Sequence, residues 1–416
     1  MAIVKPFRGL RPIPKLAHEI ASLPYDVVST KEARYIIEKQ PLSFLRVTKA
    51  EATLPENTDV HSKSVYERAR NNLNQYIADG VLQKEKKDCF YIYAQEMQGR
   101  LQIGLVACVS VNEYKNNIIK KHELTRPDKE LDRFNHITTT KAQTGFVFLT
   151  YKDTNDISAY LQDIMKNKVA EYSFITEDKI KHELYLVDDD AKIKYLQKAF
   201  LDVSHLYIAD GHHRSAAALR VAEKQAVGRA GNNNYQAECF LAAIFPDSML
   251  KVMDYNRLIK DLNGLTKQEF FLALQDYFIL NEVGDELRKP QTVHEFMMYL
   301  ENKWYSLRAK SSSYNAENII SSLDVEILQN NLLGPILGIE NPRTDERIDF
   351  VGGIRGLKEL MHRVDSGEFK VAFALYPTSI EQLLAVADAD LIMPPKSTWF
   401  EPKLRDGMVI HMIGDE

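Results

Sequence analysis

"LYIADGHHRSAAALR" spans Leu206 to Arg220, and its reading decides the fold. Four apolar residues, Leu206 to Ala209, run straight into an acid. A short apolar run closed by a turn reads as a buried strand. Gly211 supplies the turn, and an alanine-rich stretch of helical spacing begins behind His212, His213 and Arg214. Strand, tight turn and helix make one half of an α/β unit. The same geometry leaves the first backbone N–H groups of the helix without partners, and the helix dipole adds partial positive charge there. An anion fits such a place. His212 and His213 add donors, and the Arg214 guanidinium can grip a phosphate through two parallel bonds. Asp210 can orient a histidine or hold a magnesium ion. Two plainer readings stand beside this one. Asp210 can be a simple N-cap with exposed histidines next to it. The histidine pair can also be part of a zinc site, although no third His or Cys has a helpful spacing.

Working outward, the neighbouring segments alternate between strand and helix patterns. "GFVFLTY" reads as a strand, "ISAYLQDIMKNKVAEY" as a helix, "HELYLV" as a strand and "AKIKYLQKAF" as a helix. The alternation implies a mixed α/β (α+β) fold. Towards the N-terminus, "STKEARYIIEKQP" opens with a capping box, Ser29 with Glu32, and stops before Pro41. "SVYERARNNLNQYIADG" has helical spacing and ends at Gly80. "CFYIYAQEMQGRLQIGLVACVSV" reads as two strands joined by a turn at Gln98-Gly99. Towards the C-terminus, capping boxes at Thr266/Glu269, Thr292/Glu295 and Thr378/Glu381 predict three helices, and "KVAFALYPTS" is a buried strand. Lys289 to Asn318 is less regular and reads as a surface excursion. "GRAGNNN" is the best linker. These shifts suggest segments at 1–111, 112–231 and 232–416.

The whole chain has 416 residues, 45% hydrophobic and 27% charged, which suits a folded protein of two or three domains. A net charge of −5 gives no cationic field to draw it onto nucleic acid or anionic lipid. Three scattered cysteines without CxxC argue against a disulfide framework and fit a reducing cytosol. No apolar run approaches the ~20 residues of a membrane span, and the N-terminus is no signal peptide. The expectation is a cytoplasmic protein with neither membrane nor nucleic-acid partner.

Two further constellations carry chemistry. In "KKHELTRPDKELDR", Glu123 follows His122 near a strand end, where a carboxylate beside a phosphate site can act as a general base on a hydroxyl. An ordinary solvated helix start explains the same residues. In "MPPKSTWFEPKLRDG", Lys396, Ser397, Thr398 and Lys403 can wrap a second phosphate, or simply form a basic loop. "RIDFVGGIRG" is either an anion nest or a Gly-Gly turn. There is no Walker A loop, GxGxxG, GxSxG or HExxH.

"ADGHHRSAA" after a strand resembles the phosphate motif of the ParB/sulfiredoxin-like superfamily, and within it the free L-serine kinases. The match at Asp210, Gly211, His212, His213 and Arg214 is complete. "KPFRGLRP", "LPYDVVS", "SFLRV", "KKHELT" and "ADGHHR" extend the resemblance, over the full length, to a widespread family of long chains that includes pyrophosphate-dependent serine kinases. The resemblance implies a ParB-like catalytic core with added N- and C-terminal α/β segments. It implies a kinase making O-phospho-L-serine from L-serine, with Mg2+ and with pyrophosphate favoured over ATP or ADP as donor. Glu123, His213 and Asp210 would be catalytic. Gly211, His212, His213, Arg214, Lys396, Ser397, Thr398 and Lys403 would bind phosphate. Arg46, Arg126 or Arg133 would take the serine carboxylate. A non-enzymatic nucleotide or nucleic-acid binding module is the alternative from another class.

Overall fold

The computed structural model describes residues 1–154, 156–227 and 236–414. The fold is mixed α/β, in two compact units: Met1–Leu250 with Pro402–Glu416, and Lys251–Glu401. The chain thus leaves the first unit once and returns to it for its last segment.

The first unit is built on a nine-stranded sheet. In chain order its strands are β1 (Val4–Lys5), β2 (Phe90–Met97), β3 (Arg100–Ser110), β4 (Ile119–Lys120), β5 (Val147–Tyr151), β6 (Tyr172–Ile175), β7 (Lys181–Val187), β8 (Leu206–Asp210) and β9 (Cys239–Pro246). Across the sheet they run β4-β8-β5-β9-β3-β2-β7-β6, with β1 beside β3. The pairs β8–β4 and β9–β5 are parallel; the others are antiparallel. The sheet therefore draws strands from all three segments expected from sequence, and β9 from beyond residue 231 lies between β5 and β3.

Local chemistry explains the elements. Strands β5, β8 and β9 are apolar runs with almost every residue buried, as strands covered on both faces must be. The β2–β3 hairpin turns at Gln98 and Gly99, both with positive φ, as a two-residue hairpin needs. Helix α1 (Thr30–Lys39) carries the expected Ser29/Glu32 capping box. Helix α2 (Lys63–Ala78) stops at Gly80, whose φ is +68°. Helices α3 (Pro127–Thr140), α4 (Asp156–Lys166), α5 (Asp190–Leu201) and α6 (His212–Val227) complete the set that matters for the site. The small face of α6 lets Ala217 and Val221 pack against Phe134 and Ile137 of α3. Helix α4 ends six residues earlier than its apolar spacing suggests, because Tyr172 is taken by the buried side of β6. Cys89, Cys108 and Cys239 are buried free thiols. The "GRAGNNN" linker lies outside the described residues.

The second unit holds a six-stranded antiparallel sheet of β10 (Tyr255–Ile259), β11 (Phe278–Gly284), β12 (Glu295–Leu300), β13 (Lys303–Ala309), β14 (Ile348–Gly352) and β15 (Val371–Ala374). Its order is β11-β13-β12-β15-β10-β14. Here the sequence misleads at three places. Lys289–Asn318 is no surface excursion: it contains β12, buried along its whole length, and β13. The apolar run "FMMYL" belongs to a central strand and so shows no alternation. Thr292/Glu295 caps no helix, because Glu295 opens β12 and accepts from Gln291 N–H at 2.6 Å. The third capping box sits one residue on, at Ser379/Gln382, while the Thr378 hydroxyl donates to the Ser397 carbonyl. Gly352 and Gly353 form the strand-to-helix turn before Leu357–Asp365.

Among the described residues no helix is long and apolar enough to cross a membrane.

Candidate active site

The site grows from the junction of β8 and α6. Gly211 turns the chain with φ +101°, a conformation that side chains with a Cβ rarely adopt. A Cβ there would also lie 3.3 Å from the Val147 backbone in the next strand. The turn is locked by Ser215 N–H donating to the Gly211 carbonyl at 3.0 Å. The N–H groups between them open the helix, where anions are favoured.

The two adjacent histidines point to different partners. His212 is buried and meets the ring of His122 edge-on, with centroids 4.5 Å apart and planes at 89°. Burial drives both rings below the ordinary histidine value, His122 to about 4 and His212 well below 6.5, so both are neutral at pH 7. His213 instead accepts the Arg126 N–H at Nε2, 3.0 Å away. In the neutral ring this assigns the proton to Nδ1, which leaves an N–H donor for a ligand. Burial lowers the His213 pKa as well.

Asp210 ends the strand with Oδ2 3.1 Å from Lys403 Nζ. Burial works to raise its pKa, but the Lys403 ammonium and the Arg214 guanidinium prevail and hold it well below the usual carboxylate range. Its side chain keeps 38% of its surface accessible. Lys403 arrives on the returning C-terminal segment. That segment is pinned by Gln95 Nε2 on the Lys403 carbonyl at 3.0 Å and by the Arg405 N–H on Tyr93 Oη at 3.2 Å.

Behind the turn lies a layer of buried charge. Arg214 donates to the Phe146 carbonyl at 2.6 Å and lies 3.6 Å from Asp26. The Tyr25 ring has Arg133 at 3.7 Å from its centroid and Arg214 at 5.6 Å. Arg133 is bonded twice to Asp132, at 2.9 and 2.6 Å. Asp406 stands against Gly145, where a Cβ would come within 2.5 Å of its carboxylate. Burial pushes the Asp406 pKa up to about 7, against the pull of Arg214. Tyr25, Arg133, Gly145, Arg214 and Asp406 line a cavity of about 30 Å³, room enough for a water molecule.

Most residues expected from the sequence converge here. Glu123 follows His122, and a carboxylate oxygen lies with ring nitrogens of His122 and His212 in a set mutually within 4.8 Å. Arg126 contributes its backbone N–H, while its exposed guanidinium pairs with Asp128 at 2.9 Å. Arg46 stands apart: it donates to the Pro41 carbonyl, and its own carbonyl accepts from Asn72. Lys396, Ser397 and Thr398 belong to the second unit. There the Ser397 hydroxyl is held by the Pro394 carbonyl at 2.7 Å, and the Lys396 ammonium sits 5.5 Å over the Tyr255 ring. Tyr25, Asp26, His122 and Asp406 were not foreseen as site residues. The signals were present in "LPYDVVS", in "KKHE" and in "LRDG", as polar residues inside otherwise apolar or turn-forming stretches.

The site is a strand–Gly–helix turn on a mixed sheet, with the Glu123 carboxylate and the imidazoles of His122 and His212 beside it. The chain belongs to the family described as "Protein of unknown function (DUF1015)", whose model matches residues 4–326. A search of curated proteins gives no match. Among solved structures, it is similar to a free serine kinase in complex with AMP (13% identity, TM-score 0.35, covering 71% of this chain and 86% of that one). It is similar also to a conserved hypothetical protein from Pyrococcus furiosus (14%, 0.36, 72% and 93%). A third is SbnI with C-terminal truncation from Staphylococcus aureus (10%, 0.37, 72% and 85%).

Proposed function

We propose that the protein is a phosphotransferase that converts free L-serine to O-phospho-L-serine, with pyrophosphate as the favoured donor. The observation that carries this reading is the meeting of Glu123 with His212 at the mouth of α6, across some ninety residues of sequence. Phosphoryl transfer needs little more than a base at the hydroxyl and fixed positive groups around the phosphate.

The donor phosphate would lie on the first N–H groups of α6, with His212, His213 Nδ1–H and Lys403 as further donors and Arg214 adding positive charge from behind the turn. Glu123 would take the proton as the serine Oγ forms its bond to phosphorus and the bond to the leaving phosphate breaks. Asp210 holds Lys403 beside the turn and stays ionised, so one of its oxygens could also serve a magnesium ion. Magnesium would share the phosphate charge, as it does on a carboxylate or two plus phosphate oxygens. Arg126, at the rim beside His213, is the better placed arginine for the serine carboxylate; Arg133 is tied to Asp132 and Arg46 is remote from the turn in its hydrogen bonds.

The test is one assay of serine and other hydroxy amino acids against pyrophosphate, ADP and ATP with magnesium, the product identified by mass. Phosphoserine from pyrophosphate is the expected result. Phosphoserine formed only from a nucleotide would change the donor, and no product from any pairing would overturn the reading.

A further inference from the structure

We propose that His122, Glu123 and His212 form a binding site for a divalent transition ion of the zinc, cobalt or manganese type. The three side chains come from two places, the stretch after β4 and the first position of α6, and their donor atoms already lie within 4.8 Å of one another. Ligands at ~2.1 Å around a tetrahedral ion stand roughly 3.4 Å apart, so closure asks for side-chain rotations of about an ångström. Two imidazole nitrogens and a carboxylate oxygen suit zinc and its neighbours, whereas magnesium prefers oxygen alone. Three protein ligands also leave a position open for water or a phosphate oxygen.

Other features agree. Nδ1 of His122 is buried without a hydrogen-bond partner among the described residues, while the Ile208 backbone interacts with the ring. The ring is 2% exposed. His213 Nε2 accepts the Arg126 N–H at 3.0 Å; His212 Nε2 faces the His122 N–H at the longer distance of 3.5 Å, a weaker contact that an ion would displace or avoid by binding at Nδ1. The third ligand is a histidine 90 residues upstream, which no local spacing reveals.

The site does not depend on the serine kinase reading, but it bears on it: zinc bound here would occupy the proposed base. Binding is therefore measured without substrate. Chelator-treated full-length protein is titrated calorimetrically with zinc, and with cobalt followed by its visible absorption. The expected result is a single equivalent bound, tetrahedral-type cobalt bands, and at least ~10-fold weaker zinc binding in each of His122→Ala, Glu123→Gln and His212→Ala. Circular dichroism checks each fold, and Glu123→Gln, at a half-buried position, decides the matter should a histidine variant not fold. No zinc binding by the native chain, or binding unchanged in a folded Glu123→Gln and His122→Ala, would overturn the proposal. Metal bound as expected, with no phosphoserine made by the zinc-free protein with magnesium, would leave this site standing and remove the kinase reading.

Discussion

Lys403 Nζ lies 3.1 Å from Asp210 Oδ2, joining the last segment of the chain to the end of β8. The pair is half-sheltered: the lysine side chain is 12% accessible and the aspartate 38%. It ties the turn between β8 and α6 to a segment that returns after the whole second unit. It also explains why Asp210 stays ionised although burial opposes it.

Lys403→Met should weaken pyrophosphate binding roughly 10–100-fold, the usual worth of a charged hydrogen bond to an anion. Calorimetric titration with pyrophosphate reads this directly. The stability cost should be only about 1 kcal/mol, because solvent screens a partly accessible pair. Its pH dependence has a definite sign. A carboxyl with a depressed pKa stabilises the fold above its unfolded value near 4 and loses that contribution as pH falls further. Native and variant proteins should therefore differ fully at neutral pH and converge in acid. A gap that widens in acid would contradict the pairing.

Gly211→Ala should destabilise the first unit by about 1–3 kcal/mol, since it forces a Cβ into a left-handed backbone position and against β5. Denaturant unfolding gives the number. A neutral substitution would mean that the turn relaxes easily and is a poor frame for an anion.

The cradle itself was legible because it is local. A short apolar run, an acid, a glycine and an alanine-rich helix leave few ways to fold, and Asp210 to Arg214 lie where that reading put them. The capping boxes at Ser29 and Thr266 were equally local and both formed. What stayed hidden was long-range or fully buried. The ligand-like pairing of His122 with His212 depends on β4 lying parallel beside β8, which no spacing announces. The strand β12 was missed because burial on both faces removes the alternation that marks a strand. The Thr292/Glu295 signal failed for a related reason: a capping box can be written by chance where tertiary pairing takes the next five residues into a sheet.

Asp406→Asn should change how stability varies with pH. The buried Asp406 carboxyl has its pKa pushed up to about 7, so the folded chain holds a proton that the unfolded chain releases above pH ~4. Stability of the native protein should fall as pH rises from about 4 to 7, by up to 1.36 kcal/mol per unit. The variant should lack that fall, and its melting temperature should overtake that of the native protein towards pH 8. Parallel melting curves across this range would show that Arg214 and its neighbours keep Asp406 ionised throughout.

Glu123→Gln separates positioning from proton transfer. The amide keeps the shape of the side chain but cannot accept a proton as a base, so turnover of serine should drop ~10²–10⁴-fold. Pyrophosphate affinity should change little, because the phosphate donors sit on α6, at His213 and at Lys403 rather than on Glu123. The loss should appear in kcat, with KM for pyrophosphate nearly unchanged, since an interaction confined to the transition state lowers kcat and kcat/KM together. His213→Ala should do the opposite. It removes an Nδ1–H donor and frees the Arg126 N–H, so its main effect should be a raised KM for pyrophosphate. If both variants raised KM alone, Glu123 would be a binding residue, and the base would have to be sought elsewhere in the site.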